Sequence, residues 1–133
     1  MIDYTLAFDG GSRGNPGPAY GSFRIQRRSA RASISRRLRL GHGTNNEAEY
    51  WALLAGLRAF LEQLRAGGID PGQVRLEIRG DSQLVIRQVE GEWKAKDPRM
   101  RQLRDEAQRL LKPFAEIRFS HQDRSRSVAM VGH

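Results

Sequence analysis

The 133-residue chain has no cysteine. That excludes a disulfide scaffold and thiolate metal sites. It fits a reducing compartment, so a cytoplasmic setting is expected. Long hydrophobic runs are also missing. No stretch approaches the roughly 18 apolar residues of a membrane span, and mean hydropathy is -0.64, so no membrane association is expected. The N-terminal MIDYTLAFDGG has no basic flank ahead of an apolar stretch and does not read as a secretory signal. Lysine is scarce: of 23 basic residues only Lys94, Lys96 and Lys112 are lysines.

What is present is globular in proportion, with 38% hydrophobic and 29% charged residues. The length suits one domain over residues 1–133. Fifteen acids against 23 bases leave a net charge of +8. Guanidinium groups match phosphate oxygens in pairs, so a polyanionic partner is one reading of this arginine-rich charge. Solubility or GC-rich codon usage is the other, and charge alone does not separate them.

Hydrophobic period divides the chain. Residues 2–9 alternate as a half-buried strand ending at Asp9. Residues 10–18, GGSRGNPGP, are turn formers that cannot be helix. Residues 20–27 and 31–40 read as two further strands, giving an antiparallel meander of three. Thr44 and Glu47 then form a capping box, and Tyr50, Leu53, Leu54, Leu57, Leu61 and Leu64 recur at helical spacing. That helix is expected from Asn45 to Arg65, stopped at Gly67-Gly68. Val74, Leu76 and Ile78 mark a fourth strand ending at Gly80-Asp81, followed by a short helix over 82–89 and a loop over 91–98. A third helix starts at Pro98 and breaks at Pro113, Ile117 and Phe119 mark a fifth strand, and a polar tail runs from His121 to His133. The expected fold is α/β, a five-stranded mixed sheet in which strands 4 and 5 are parallel, flanked by helices.

Three acids stand where chemistry needs them. Asp9 ends the first strand, Asp81 ends the fourth, and Glu49 lies one turn into the first helix. If strands 1 and 4 are parallel neighbours, both aspartates emerge at one sheet edge, where α/β proteins place their functional groups. Carboxylates packed together repel unless a cation neutralises them, and oxygen-only donors select Mg²⁺, with Mn²⁺ as a substitute. Each acid also has a plain structural reading: a turn, a helix cap, a solvated helix residue.

In combination, FDGGSRGNPGPAYGSF, TNNEAEYWALLAGL and GDSQLVIRQVEGEWK resemble the signature segments of type 1 ribonuclease H, in the family's order and over nearly the whole chain. The resemblance implies endonucleolytic hydrolysis of the RNA strand of an RNA/DNA hybrid, with 3′-hydroxyl and 5′-phosphate ends. It implies that Asp9, Glu49 and Asp81 are three of four metal-binding carboxylates. His121 matches a histidine that assists proton transfer or product release. By the same resemblance the loop from Gly10 through Gly11 and Ser12 to Asn15 approaches RNA 2′-hydroxyls, Asn45 and Asn46 touch the minor-groove face, and Thr44 helps hold a DNA-strand phosphate. RQVEGEWKAKDPR matches members without the long basic protrusion, with Trp93, Lys94 and Lys96 expected to meet the DNA strand by stacking and phosphate pairing, and packing the equal alternative for Trp93. The arginines at 24, 27, 28, 31, 36, 37 and 39 read either as diffuse phosphate attraction or as solvated charge. No obligatory protein partner is evident, and a monomer is expected.

One position departs from the pattern. The family's fourth carboxylate, about ten residues after the histidine, falls here on Val131 or Met130, neither of which ligates a metal. Asp123 and His133 are poor replacements, and the family's C-terminal helix is expected to be absent or truncated. A weakened enzyme, an altered version of a longer chain, or a hybrid-binding module that cuts poorly each fit that departure. A related nuclease or transposase-type domain fits less well, because TNNEAEY joins a metal carboxylate to hybrid-contacting amides.

Overall fold

The structure, a computed structural model, describes residues 1–121. Three strands come first: β1 (Ile2–Ser12), β2 (Gly17–Arg27) and β3 (Ser33–Gly43). The long helix α1 (Asn45–Ala66) follows, then a single 3₁₀ turn (Pro71–Gln73) and β4 (Val74–Gly80). Two further helices, α2 (Gln83–Glu90) and α3 (Pro98–Leu111), precede β5 (Glu116–His121). The sheet order is β3-β2-β1-β4-β5. The first three strands are antiparallel, while β4 pairs in parallel with both β1 and β5. The expected mixed sheet is therefore present, with β1 at its centre.

Alternation decides which sheet face is covered. Tyr4, Leu6 and Phe8 of β1, Phe23 and Ile25 of β2, and Val74, Leu76 and Ile78 of β4 are buried and share one core. Against them pack Tyr50, Leu53, Leu57, Phe60 and Leu64, the apolar stripe of α1. Met100, Ala107, Leu110 and Leu111 bring α3 into the same core. The intervening residues Asp3, Thr5, Arg24, Arg75 and Glu77 are not buried, so the opposite face stays open among the described residues.

The meander differs from expectation at its ends. β1 continues through Gly10 and Gly11 to Ser12, and β2 already begins at Gly17. Glycine reads locally as a strand breaker, yet here its missing side chain is what lets another backbone approach. The capping box at the start of α1 forms as expected: Thr44 Oγ1 accepts from the Glu47 N–H at 3.1 Å, and Glu47 Oε1 accepts from the Thr44 N–H at 3.1 Å. Serine 82 caps α2 from outside the helix, so the helix itself begins one residue later than the sequence pattern indicates.

Candidate active site

Three elements carry the three acids to one end of the sheet. The last parallel pair between β1 and β4 is Ala7 with Arg79. Asp9 lies two residues past Ala7, still paired to Ser22 of β2, and Asp81 lies two past Arg79, just beyond β4. The two backbones are therefore level at the same edge. Glu49 is brought there by a steric fit. A Cβ placed on Gly10 would stand 2.5 Å from both the carbonyl carbon and the oxygen of Ala48, and 2.7 Å from the Glu49 nitrogen. Strand β1 thus touches the backbone of the first turns of α1, and only glycine permits it.

His121 closes the group. It ends β5 opposite Gly80, and its Nε2 lies 3.1 Å from the Asp81 carbonyl oxygen. A carbonyl only accepts, so Nε2 carries the hydrogen in this bond and a neutral ring keeps Nδ1 as its basic nitrogen. Asp9, Glu49 and Asp81 each engage a neighbour. Among the described residues, no group of three or more His, Cys, Asp or Glu side chains is gathered closely enough to hold a metal ion. The backbone brings the acids to one edge.

The glycine-rich loop is tied to the helix start. Asn45 Oδ1 accepts from the Ser12 N–H at 2.8 Å and from the Ser12 hydroxyl at 3.3 Å, while the Asn45 N–H donates to Asn15 Oδ1 at 3.1 Å. This knot fixes Ser12, Asn15 and Asn45 relative to one another and leaves the Asn45 amide NH₂ as the end it offers outward. Asn46 is exposed on the first turn, and Thr44 is engaged in the cap. Trp93 and Lys94 are exposed on the α2–α3 connection, beyond a helix about 12 Å long from the Asp81 end. They flank the acids instead of joining them. Trp93 is 44% exposed, which leaves its ring accessible, and its backbone N–H donates to the Arg87 carbonyl at 3.1 Å.

One supporting pair escaped the sequence pattern. The Tyr50 hydroxyl donates to Gln88 Oε1 at 2.7 Å, inside the core between α1 and α2. Burial pushes the Tyr50 hydroxyl well above its ordinary pKa, with opposing contributions from the charges of Arg104 and Asp105. The bond couples the helix that carries Glu49 to the one that follows Asp81. Helical spacing marks Tyr50 as a core position and says nothing of its hydroxyl. A glutamine on the inner face of a short helix was the available signal.

The fold and motifs have counterparts. A family model described as reverse transcriptase-like matches residues 8–130. A ribonuclease HI of Halobacterium salinarum is 39% identical over 118 residues, 89% of this chain and 55% of the relative. The crystal structure of RNase H1 from that archaeon superposes with a TM-score of 0.79 at 37% identity, covering 92% of this chain and 87% of the other. The chain belongs to the type 1 ribonuclease H family. The LC11-RNase H1 structure in complex with an RNA/DNA hybrid gives a TM-score of 0.81 at 28% identity, over 95% of this chain and 89% of that one. This ribonuclease H chain spans about half the length, or less, of the curated relatives it matches. Its α2–α3 connection is only residues 91–97, the short linker expected from the sequence. The ribonuclease H positions expected to lack the fourth carboxylate, Met130 and Val131, lie outside the described residues, as do Asp123 and His133. No helix among the described residues is long and apolar enough to cross a membrane.

Proposed function

We propose that the chain hydrolyses the RNA strand of RNA/DNA hybrids endonucleolytically, with Asp9, Glu49 and Asp81 holding divalent metal. The observation that carries this reading is the meeting of Asp9, the first turns of α1 and the β4–β5 ends at one sheet edge, with His121 bonded to the Asp81 carbonyl. The hybrid seen bound to LC11-RNase H1 supports the substrate class.

The donors are oxygens only, which suits a hard cation such as Mg²⁺, and Mn²⁺ as a substitute. When bound there, divalent ions activate water and stabilise the leaving oxygen of a phosphodiester. The protein's own groups do the rest. The Ser12–Asn45–Asn15 knot fixes the loop that follows Gly10 and Gly11 against the start of α1, so that its backbone can meet a 2′-hydroxyl, the group that separates RNA from DNA. The Asn45 amide, donor end outward, suits the acceptors that line a minor groove, and Asn46 beside it does the same. Thr44 lends its hydroxyl to a DNA-strand phosphate, and Trp93 and Lys94 meet that strand farther along. His121, with Nδ1 basic, receives or passes a proton near the cleaved bond. The absence of a carboxylate at Met130 and Val131 weakens ion binding, so Mg²⁺ supports slow cleavage and Mn²⁺ restores part of the rate. A monomeric, cytoplasmic setting for the ribonuclease H-like domain of residues 1–133 completes the proposal.

Cleavage of an end-labelled hybrid duplex under a metal titration tests it. Wild type is expected to cut the RNA strand only when metal is added, to need high Mg²⁺, and to gain from Mn²⁺. Asp9→Asn is expected to lose cleavage by at least about a hundredfold with an unchanged melting curve. Equal rates for wild type and Asp9→Asn exclude the assigned site, and full activity at micromolar Mg²⁺ excludes the weakened metal site.

A further inference from the structure

The positive charge is not spread over the molecule. Residues 10–46 hold eight arginines and no acid, while the rest of the chain holds 15 bases and 15 acids. The whole net charge of +8 therefore resides in the segment that forms the β2–β3 hairpin and its flanks.

The open sheet face divides accordingly. On its β4–β5 half, arginines are matched: Arg75 forks onto Asp3 at 2.8 and 3.0 Å, Arg79 meets Glu77 at 2.8 Å, and Arg118 lies 4.0 Å from Glu116. None of the eight arginines of residues 10–46 enters an ion pair among the described residues, and two of them, Arg24 and Arg37, share the β2–β3 half of this face with Ser22 and Ser35. Arg24 has only neutral partners, Ser33 Oγ at 3.3 Å and Gln26 Oε1 at 3.2 Å. Register places Ser22 opposite Arg37 and Arg24 opposite Ser35, so Arg37 and Arg24 stand diagonally on this face, roughly 7–8 Å apart at the backbone. Between them and Asp9 lies a shallow depression of about 370 Å³, also lined by Ser22 and Ser35. Two residues before Ser22 along β2, Tyr20 is 50% exposed, its ring seated over Gly11, where an added Cβ would stand 2.7 Å from the hydroxyl oxygen.

An exposed aromatic ring followed by a row of unmatched arginines is how proteins hold a single strand: bases stack and phosphates pair. We infer that this face binds a single-stranded nucleic acid flank, which leaves the hybrid at the Asp9 edge and runs over Tyr20, Arg37 and Arg24 toward the hairpin tip. The inference rests on the hybrid occupying that edge. Ser22 and Ser35 beside the arginines offer hydrogen bonds to sugar and phosphate, and Asp9, at the hybrid edge, is the one acid lining the depression.

Fluorescence anisotropy on the catalytically silent Asp9→Asn background separates the two readings. Three probes are needed: a blunt RNA/DNA hybrid, the same hybrid with a short single-stranded DNA tail, and the tail strand alone. The tailed hybrid is expected to bind at least about tenfold tighter than the blunt one. Adding Arg24→Ala and Arg37→Ala is expected to remove most of that preference and to lower the salt slope of tailed binding by about 1.4, from roughly 0.7 per single-strand phosphate contact. Arg24→Lys with Arg37→Lys should keep the slope. Tyr20→Leu, which retains cover over Gly11, should weaken tailed binding severalfold with the slope unchanged, because stacking releases no counterions. Circular dichroism confirms that each variant is folded. A tail that adds no affinity, or an arginine pair whose loss weakens blunt and tailed hybrids equally, overturns the inference. Tail-strand binding without hybrid binding overturns the assigned hybrid edge instead.

Discussion

Gly10 shows how much a single residue decides. The 2.5 Å approach to the Ala48 carbonyl group leaves no room for a methyl group, and the neighbour is backbone that cannot rotate aside. Gly10→Ala is therefore expected to cost about 1–3 kcal/mol of stability and to lower cleavage further by shifting Glu49 away from Asp9; urea unfolding and the hybrid assay check both. Tyr50 is a second such residue. Tyr50→Phe strips the buried Gln88 oxygen of its donor, with an expected loss of about 1–3 kcal/mol in the same unfolding measurement. Gln88→Leu made together with it should recover part of the loss, because no polar atom is then left without a partner. The first of these residues is legible in the sequence only as a turn former, and the second only as an apolar position. Neither close approach nor a hydroxyl's partner leaves a mark on hydrophobic period.

Between elements, the α1–α3 contact combines core packing with charge. Glu106 of α3 bonds Arg109 on its own helix and Arg58 of α1, at 3.3 Å for the latter. The Arg109 bond, supported by Arg58, holds the Glu106 carboxyl at about 2, against an ordinary 4.5. A carboxylate whose folded pKa is depressed contributes stability that is complete above its unfolded pKa and lost as pH falls through the folded one. The expected signature is a melting temperature that declines as pH drops from about 5 toward 2, with part of the decline absent in Glu106→Gln. Identical acid profiles for both proteins would falsify the linkage. Element identity itself was readable in advance. The capping box, the helical leucine spacing and the alternating strands all agree with the observed elements, because each is a local signal. Strand ends in the glycine-rich loop were not, because there a neighbouring helix, not local propensity, selects the extended backbone.

Taken whole, the molecule is an electrically lopsided plate, balanced over most of its length and strongly positive along the β2–β3 hairpin. Hybrid binding is expected to weaken steeply as salt rises, since each phosphate contact releases counterions. Titration of the blunt hybrid at several KCl concentrations measures the slope, and a flat line would remove phosphate pairing from the account of binding.

The order of strands and helices, the cap on α1 and the three motif segments were determined by the chain's sequence, because spacing and residue type act over a few neighbours. The family followed from them. Tertiary structure alone decided which acids share an edge, that the β1 glycines are strand residues under a helix and a tyrosine, and which arginines find carboxylates. Those facts depend on groups far apart in the chain meeting across β1, β2 and β4, and no local period encodes such a meeting.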